Sequence, residues 1–96
     1  MRARKLFYVV SYDVANNKRR SQVSTMLEKV GLRVNYSVFE CMLTEKQLAE
    51  LSEQIAKVIK LKEDTVIFYP LCVNCFSKIQ YMPMHRMRGG VTLFQK

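Results

Sequence analysis

Asp13 closes the apolar run Leu6-Phe7-Tyr8-Val9-Val10-Ser11-Tyr12. Aromatic and β-branched side chains predict a strand there. Too few of its residues alternate with polar ones for a half-solvated edge, so the strand is expected to be central, covered on at least one face. In sheets that carry helices, chemistry collects at the carboxyl ends of central strands. A carboxylate in that place can ligate a cation, or it can cap a turn with its own backbone. Just beyond it, Lys18, Arg19 and Arg20 fall in the first turn of an expected helix. That is the wrong end for cations, because the helix dipole is already positive there. With the free N–H groups of the helix start they form a surface for phosphate. Solvated surface charge is the other reading.

The chain has no nucleophile–base pair and no clustered carboxylates. Asp13 alone cannot hold a metal tightly. Magnesium, however, keeps most of its waters and can rest on one or two carboxylates plus substrate phosphate. A two-fold dimer would supply a second Asp13. Such a site could activate a water and stabilise a phosphodiester transition state.

Cys72-Val73-Asn74-Cys75 is the other chemical spacing. Structural zinc needs four ligands, and beyond this pair the chain offers only Cys41 and His85. No zinc site within one chain is expected. A redox role would want the pair just before a helix in a thioredoxin-like βαβ unit, and the pattern contains no such unit. The thiols are expected to be ordinary, buried and reduced. His85 lies far from Asp13 in sequence and is expected at the surface.

The elements that must position these groups follow from periodicity. Asn16 or Asn17 can cap a helix whose apolar stripe is Val23, Met26, Leu27 and Val30, with Gly31 as its left-handed stop. Residues 33–35 and then 38–43 read as two strands around a bend at Tyr36 and Ser37, with a slip near Phe39 and Glu40. Phe39 is expected in the core. Thr44-Glu45-Lys46-Gln47 is a capping box, followed by Leu48, Leu51, Ile55 and Val58 at helical spacing. Glu45, Glu50 and Glu53 take the polar side, favoured near the N-terminal half. Residues 60–64 are a charged connection. Residues 65–69 form a strand that Pro70 closes. The order is strand, helix, strand, strand, helix, strand. The predicted class is α+β, a ferredoxin-like βαββαβ fold with an antiparallel sheet and two helices on one face. A last strand at residues 91–94 follows a basic, glycine-containing tail. Beyond a completed sheet it needs a free edge, which a second copy could supply.

With 96 residues there is room for one domain, a core over 1–81 and a tail over 82–96. Hydrophobic residues make up 49%, which excludes a disordered chain. No apolar run approaches the roughly 20 residues of a membrane span, and the N-terminus lacks a signal-peptide pattern. No membrane association and a cytoplasmic location are expected. Lys and Arg number 16 against 8 Asp and Glu, a net charge of +8. Such a field attracts polyanions, nucleic acid first among them.

Tyr8 to Val14 with its Ser-Tyr-Asp-Val ending, Arg19-Arg20, Arg33-Val-Asn-Tyr-Ser-Val-Phe-Glu-Cys-Met-Leu-Thr and Ile67-Phe-Tyr-Pro-Leu-Cys together resemble the small CRISPR-associated spacer-acquisition family, CRISPR-associated protein two. The resemblance runs from Phe7 to about Ile79. It implies a ferredoxin-like homodimer with the strand-end aspartates facing each other. It implies magnesium-dependent endonuclease activity on RNA or double-stranded DNA in some members, and a role in CRISPR adaptation beside a CRISPR-associated integrase. By resemblance Asp13 is the catalytic metal ligand, Tyr12 its neighbour in the motif, and Arg19, Arg20, Arg33 and Phe39 candidate substrate residues. Lys18 joins the arginines as a phosphate contact on charge. The alternatives are a non-catalytic duplex-DNA scaffold for the integrase, or a toxin-type messenger-RNA endoribonuclease.

Overall fold

The computed structural model describes residues 4–82. The expected strand at 91–94, the basic segment 83–90 and His85 lie outside them. Seven elements follow in order: β1 (Leu6–Asp13), α1 (Asn17–Glu28), β2 (Gly31–Asn35), β3 (Val38–Leu43), α2 (Glu45–Ala56), β4 (Thr65–Leu71) and a single helical turn, α3 (Val73–Phe76). The expected β-α-β-β-α-β order is therefore present. The strands form one four-stranded sheet in the order β2-β3-β1-β4, with every neighbouring pair antiparallel. β1 is central, as its apolar composition predicts.

Alternation along the strands divides the side chains between two faces. Tyr8, Val10 and Tyr12 of β1 join Phe39, Cys41 and Leu43 of β3 in the core. Val23 and Leu27 of α1 and Leu51 and Ile55 of α2 complete it. Both helices thus feed one cluster and cover one face of the sheet. Asn16 caps α1 by accepting from the Arg19 N–H at 2.9 Å. The capping box of α2 is formed in both directions, Gln47 N–H to Thr44 Oγ1 at 3.1 Å and Thr44 N–H to Gln47 Oε1 at 2.9 Å.

Residues directly opposite on paired strands point to the same face. Val9, Glu40 and Tyr69 share a row on the second face, and Ser11, Val38 and Ile67 share the next. No α1 or α2 residue of the core cluster reaches this side. Phe76 of α3 covers one end of it, its ring centroid 4.4 Å from that of Phe7. Tyr81 donates its hydroxyl to Glu40 Oε2 at 2.6 Å. Elsewhere the face is open: Ile67 is 40% and Tyr69 50% exposed.

Three local expectations are corrected. Gly31 is not a left-handed stop: α1 has already ended, and Gly31 opens β2. A Cβ there would stand 2.5 Å from both Cys41 Sγ and the Glu40 carbonyl oxygen, so glycine serves close strand approach. The register slip is carried by β2, between Arg33 and Asn35, opposite Phe39 and Val38, and not by β3 itself. β4 does not stop before Pro70 but continues to Leu71, with Pro70 opposite Tyr8. Among the described residues β4 is at the edge of the sheet, the place where proline is tolerated.

Candidate nucleic-acid and metal site

Asp13 is the last residue of β1 and is exposed. Its partner across the ladder is Thr65, and strand alternation sets both on the face away from the helices. Among the described residues its carboxylate makes no hydrogen bond or ion pair, so the turn-capping alternative has no support there. The carboxylate stands free at the rim of an open, largely apolar sheet face.

The turn after it is rigidly held, and by residues that sequence reasoning had assigned elsewhere. Arg20 Nε donates to the Val14 carbonyl at 3.1 Å, Arg20 Nη2 to the Ala15 carbonyl at 3.3 Å, and Arg20 Nη1 to Asn17 Oδ1. Ala15 N–H donates to Asp64 Oδ1 at 3.0 Å. Arg19 grips the same carboxylate with two nitrogens, Nε to Oδ2 at 2.8 Å and Nη2 to Oδ1 at 3.1 Å, and reaches Glu63 at 3.0 Å. Lys60 N–H adds a further bond to Asp64 Oδ2 at 2.8 Å. The Asp64 side chain is wholly buried. Its carboxyl is held well below the usual carboxylate range, chiefly by Arg19, with the Lys60 and Ala15 amides adding to it and burial opposing. A forked arginine on a carboxylate that also accepts backbone N–H groups compensates the cost of burying that charge.

In the first turn of α1 both arginines thus engage the chain's own groups. An anion is supplied there by the chain itself, as Asp64. Arg19 and Arg20 shape the turn behind Asp13, while Lys18 remains exposed on the surface. Asp64 was hidden in the sequence inside a charged connection. The available signal was its place directly before a strand, opposite cations that the helix dipole disfavours.

Arg33 is also engaged. It donates to Ser24 Oγ and the Tyr36 carbonyl, pairs with Glu28 at 3.2 Å, and lies 4.9 Å over the Phe39 ring. Phe39 is fully buried, as the core reading expected, and Tyr12 is 4% exposed. Tyr12 donates its hydroxyl to the Tyr36 carbonyl at 3.1 Å, and its ring centroid lies 6.2 Å from that of Phe39. In this arrangement neither ring presents a free face to a base. The candidates thus form two groups: Asp13, Arg19 and Arg20 at the end of β1 and the turn after it, and Tyr12, Arg33 and Phe39, where Tyr12 and Arg33 both donate to the Tyr36 carbonyl and both lie against the Phe39 ring.

Among the described residues no three His, Cys, Asp or Glu side chains form a metal-ligand set. One free carboxylate suits magnesium, which takes the remaining positions from water and phosphate, and does not suit an ion needing a full protein cage. Cys72 and Cys75 are exposed, which corrects the expectation that this pair is buried, whereas Cys41 is buried. Burial first, and Glu40 second, push the Cys41 thiol up to about 11.

No helix among the described residues is long and apolar enough to cross a membrane. A family model described as CRISPR associated protein Cas2 matches residues 6–79. The chain is 38% identical over 87 residues to "CRISPR-associated endoribonuclease Cas2 3" of Synechocystis sp., covering 88% of this chain and 95% of that protein. The crystal structure of Streptococcus pyogenes Cas2 superposes with a TM-score of 0.73 at 28% identity, over 79% of this chain and 98% of that one. A chain of a structure described as a partial Cas6-RT-Cas1--Cas2 complex gives 0.72 at 30% identity, over 88% and 91%. The matched segment carries the central strand with its terminal aspartate, both helices and the Cys72–Cys75 turn, and on these grounds the chain belongs to the CRISPR-associated Cas2 family.

Proposed function

We propose that the chain is a CRISPR adaptation protein acting as a homodimer in the cytoplasm, which binds RNA or double-stranded DNA and hydrolyses phosphodiester bonds slowly with Asp13 and magnesium. The observation that carries this reading is the free, exposed Asp13 carboxylate at the end of the central strand, beside a turn fixed by Arg19, Arg20 and Asp64. The endoribonuclease name of the Synechocystis relative supports the activity. The name of the partial Cas6-RT-Cas1--Cas2 complex supports a CRISPR-associated integrase as partner. In a dimer built on the open sheet face, two Asp13 side chains would hold the metal between them. Bound there, magnesium would neutralise phosphate charge and make a bound water more acidic. The chain's own part is to fix the carboxylate by strand pairing, to brace the turn behind it, and to offer Lys18 and the net positive charge to the backbone of the nucleic acid.

The second reading is a duplex-binding scaffold without catalysis. It is favoured by the sparse donor set, one carboxylate per chain, and by the engagement of Arg19 and Arg20 with the chain's own groups. Magnesium-dependent cleavage by the unmutated protein and by Asp13→Asn, with binding to the same duplex in parallel, separates the two. A carboxamide is a poor magnesium ligand, so cleavage is expected to vanish, while binding is kept or slightly strengthened by loss of a negative charge. Equal cleavage by both proteins overturns the Asp13 mechanism. Tight binding without cleavage by either leaves the scaffold reading. In the same titrations Lys18→Ala should lower the salt slope by about one.

A further inference from the structure

The Cys72–Cys75 turn carries a chemistry that phosphodiester hydrolysis does not use. It lies at the end of β4, where Leu71 pairs with Phe7, and its far side is fixed by Phe76 against the same Phe7 ring. The Phe76 and Ser77 amides close the turn onto the Cys72 and Val73 carbonyls at 2.8 and 3.0 Å. Anchored before and after, the two cysteines are held in one geometry. Cys75 N–H points at Cys72 Sγ, 3.4 Å away. Both side chains are exposed.

The two sulfurs are not equivalent. Cys72 is lowered from the usual thiol range, first by the Cys75 backbone N–H and then by the Cys75 thiol, which donates to it. Cys75 is raised, first as the donor in that same bond and then by the charge on Cys72. The Cys72 sulfur is the one that accepts the Cys75 amide, at 3.4 Å, so the turn distinguishes the two sulfurs by geometry as well. Residues three apart on a helical turn carry Cβ atoms about 5–6 Å apart, near the separation that a disulfide spans. The ring closed would be very small, so the chain-entropy stabilisation is slight. A structural staple is therefore not what the pair provides.

We propose that Cys72 and Cys75 form a thiol–disulfide exchange site, with Cys72 the attacking sulfur, Cys75 the resolving sulfur, and a low-molecular-weight disulfide as co-reactant. The Cys72 thiolate attacks one sulfur of the small disulfide, forms a mixed disulfide and releases one small thiolate. Cys75 loses its proton and attacks Cys72 Sγ, forming the intramolecular bond and releasing the second small thiolate. The two thiol protons pass to the released thiolates. The chain is oxidised by two electrons and the small disulfide is reduced by two. A small dithiol runs the sequence in reverse.

The test uses the full chain, reduced and then exposed to glutathione disulfide under native conditions, with acid quenching and mass mapping of the three cysteines. The unmutated protein is expected to finish as the Cys72–Cys75 disulfide, lighter by two hydrogens, with Cys41 unmodified because it is buried. Cys75→Ser should stall as a glutathione adduct on Cys72. Two glutathione adducts on the unmutated chain, no reaction at either cysteine, or a Cys75→Ser protein without an adduct would each overturn the proposal. Alkylation of the unmutated, reduced protein by iodoacetamide requires no variant to fold. At neutral pH Cys72 should react about threefold faster than Cys75 or more, since a lower pKa gains thiolate but loses part of its nucleophilicity. Equal rates, or a faster Cys75, would count against the assignment of roles.

Discussion

Single atoms decide more here than residue type suggests. Gly31 is required because any side chain would enter the space held by Cys41 Sγ and the Glu40 carbonyl. The sulfur can rotate away, but the carbonyl belongs to the ladder between β2 and β3 and cannot. Gly31→Ala should therefore destabilise the chain by about 1–3 kcal/mol, the usual cost of forcing extra volume into a packed site. Denaturant unfolding will show it as a lower midpoint at unchanged slope. An unaltered midpoint would mean that the strands separate there at no cost.

At the scale of elements, the junction of β1 with α1 is tied to the loop before β4 through Asp64. The arginine and the aspartate lie 45 residues apart in sequence. Asp64→Asn keeps the shape but removes the charge that Arg19 needs, and its amide nitrogen turns a donor toward groups that themselves donate. A drop of several degrees in the thermal midpoint is expected at neutral pH. The pH dependence has a definite sign. The folded-state carboxyl titrates below its unfolded value, so the contribution is fully present above about pH 4 and is lost as pH falls through the lower folded value. The melting curves of the unmutated and Asp64→Asn proteins should therefore converge with acid. A gap that stays constant from neutral pH to pH 3 would show that the ionisation of Asp64 is not what stabilises the junction.

For the whole molecule, the uneven covering of the sheet matters most. Two helices cover one face, while the other shows Met42, Ile67 and Tyr69 to solvent. An open apolar face of this kind suits association with another surface, and the proposed dimer would bury it with Asp13 at its rim. Tyr69→Lys places a charge on that face, at β4. By light scattering it should shift the protein toward monomer while leaving the monomer fold intact by circular dichroism. A chain truncated after Gly90 should also dimerise more weakly if residues 91–94 add a strand to the partner. An unchanged dimer with undiminished thermal stability in the truncated chain removes the tail from the interface, and the same result for Tyr69→Lys removes the face.

The sequence by itself determined what depends on near neighbours: the central character of β1, the Asn16 cap, the Thr44–Gln47 capping box, the element order and the placement of Asp13 at a strand end. Periodicity and capping are set within a few residues, so they survive without a partner in view. What tertiary structure decided was how distant groups meet. The sequence could not show that Arg19 meets Asp64, because that acid lies 45 residues away and is brought beside the turn only by the pairing of Thr65 with Asp13, and charge pairing has no sequence period. Gly31 read as a helix stop because the atoms that forbid a side chain belong to β3. Cys72 and Cys75 read as buried because only the edge position of β4 shows that nothing lies over them among the described residues.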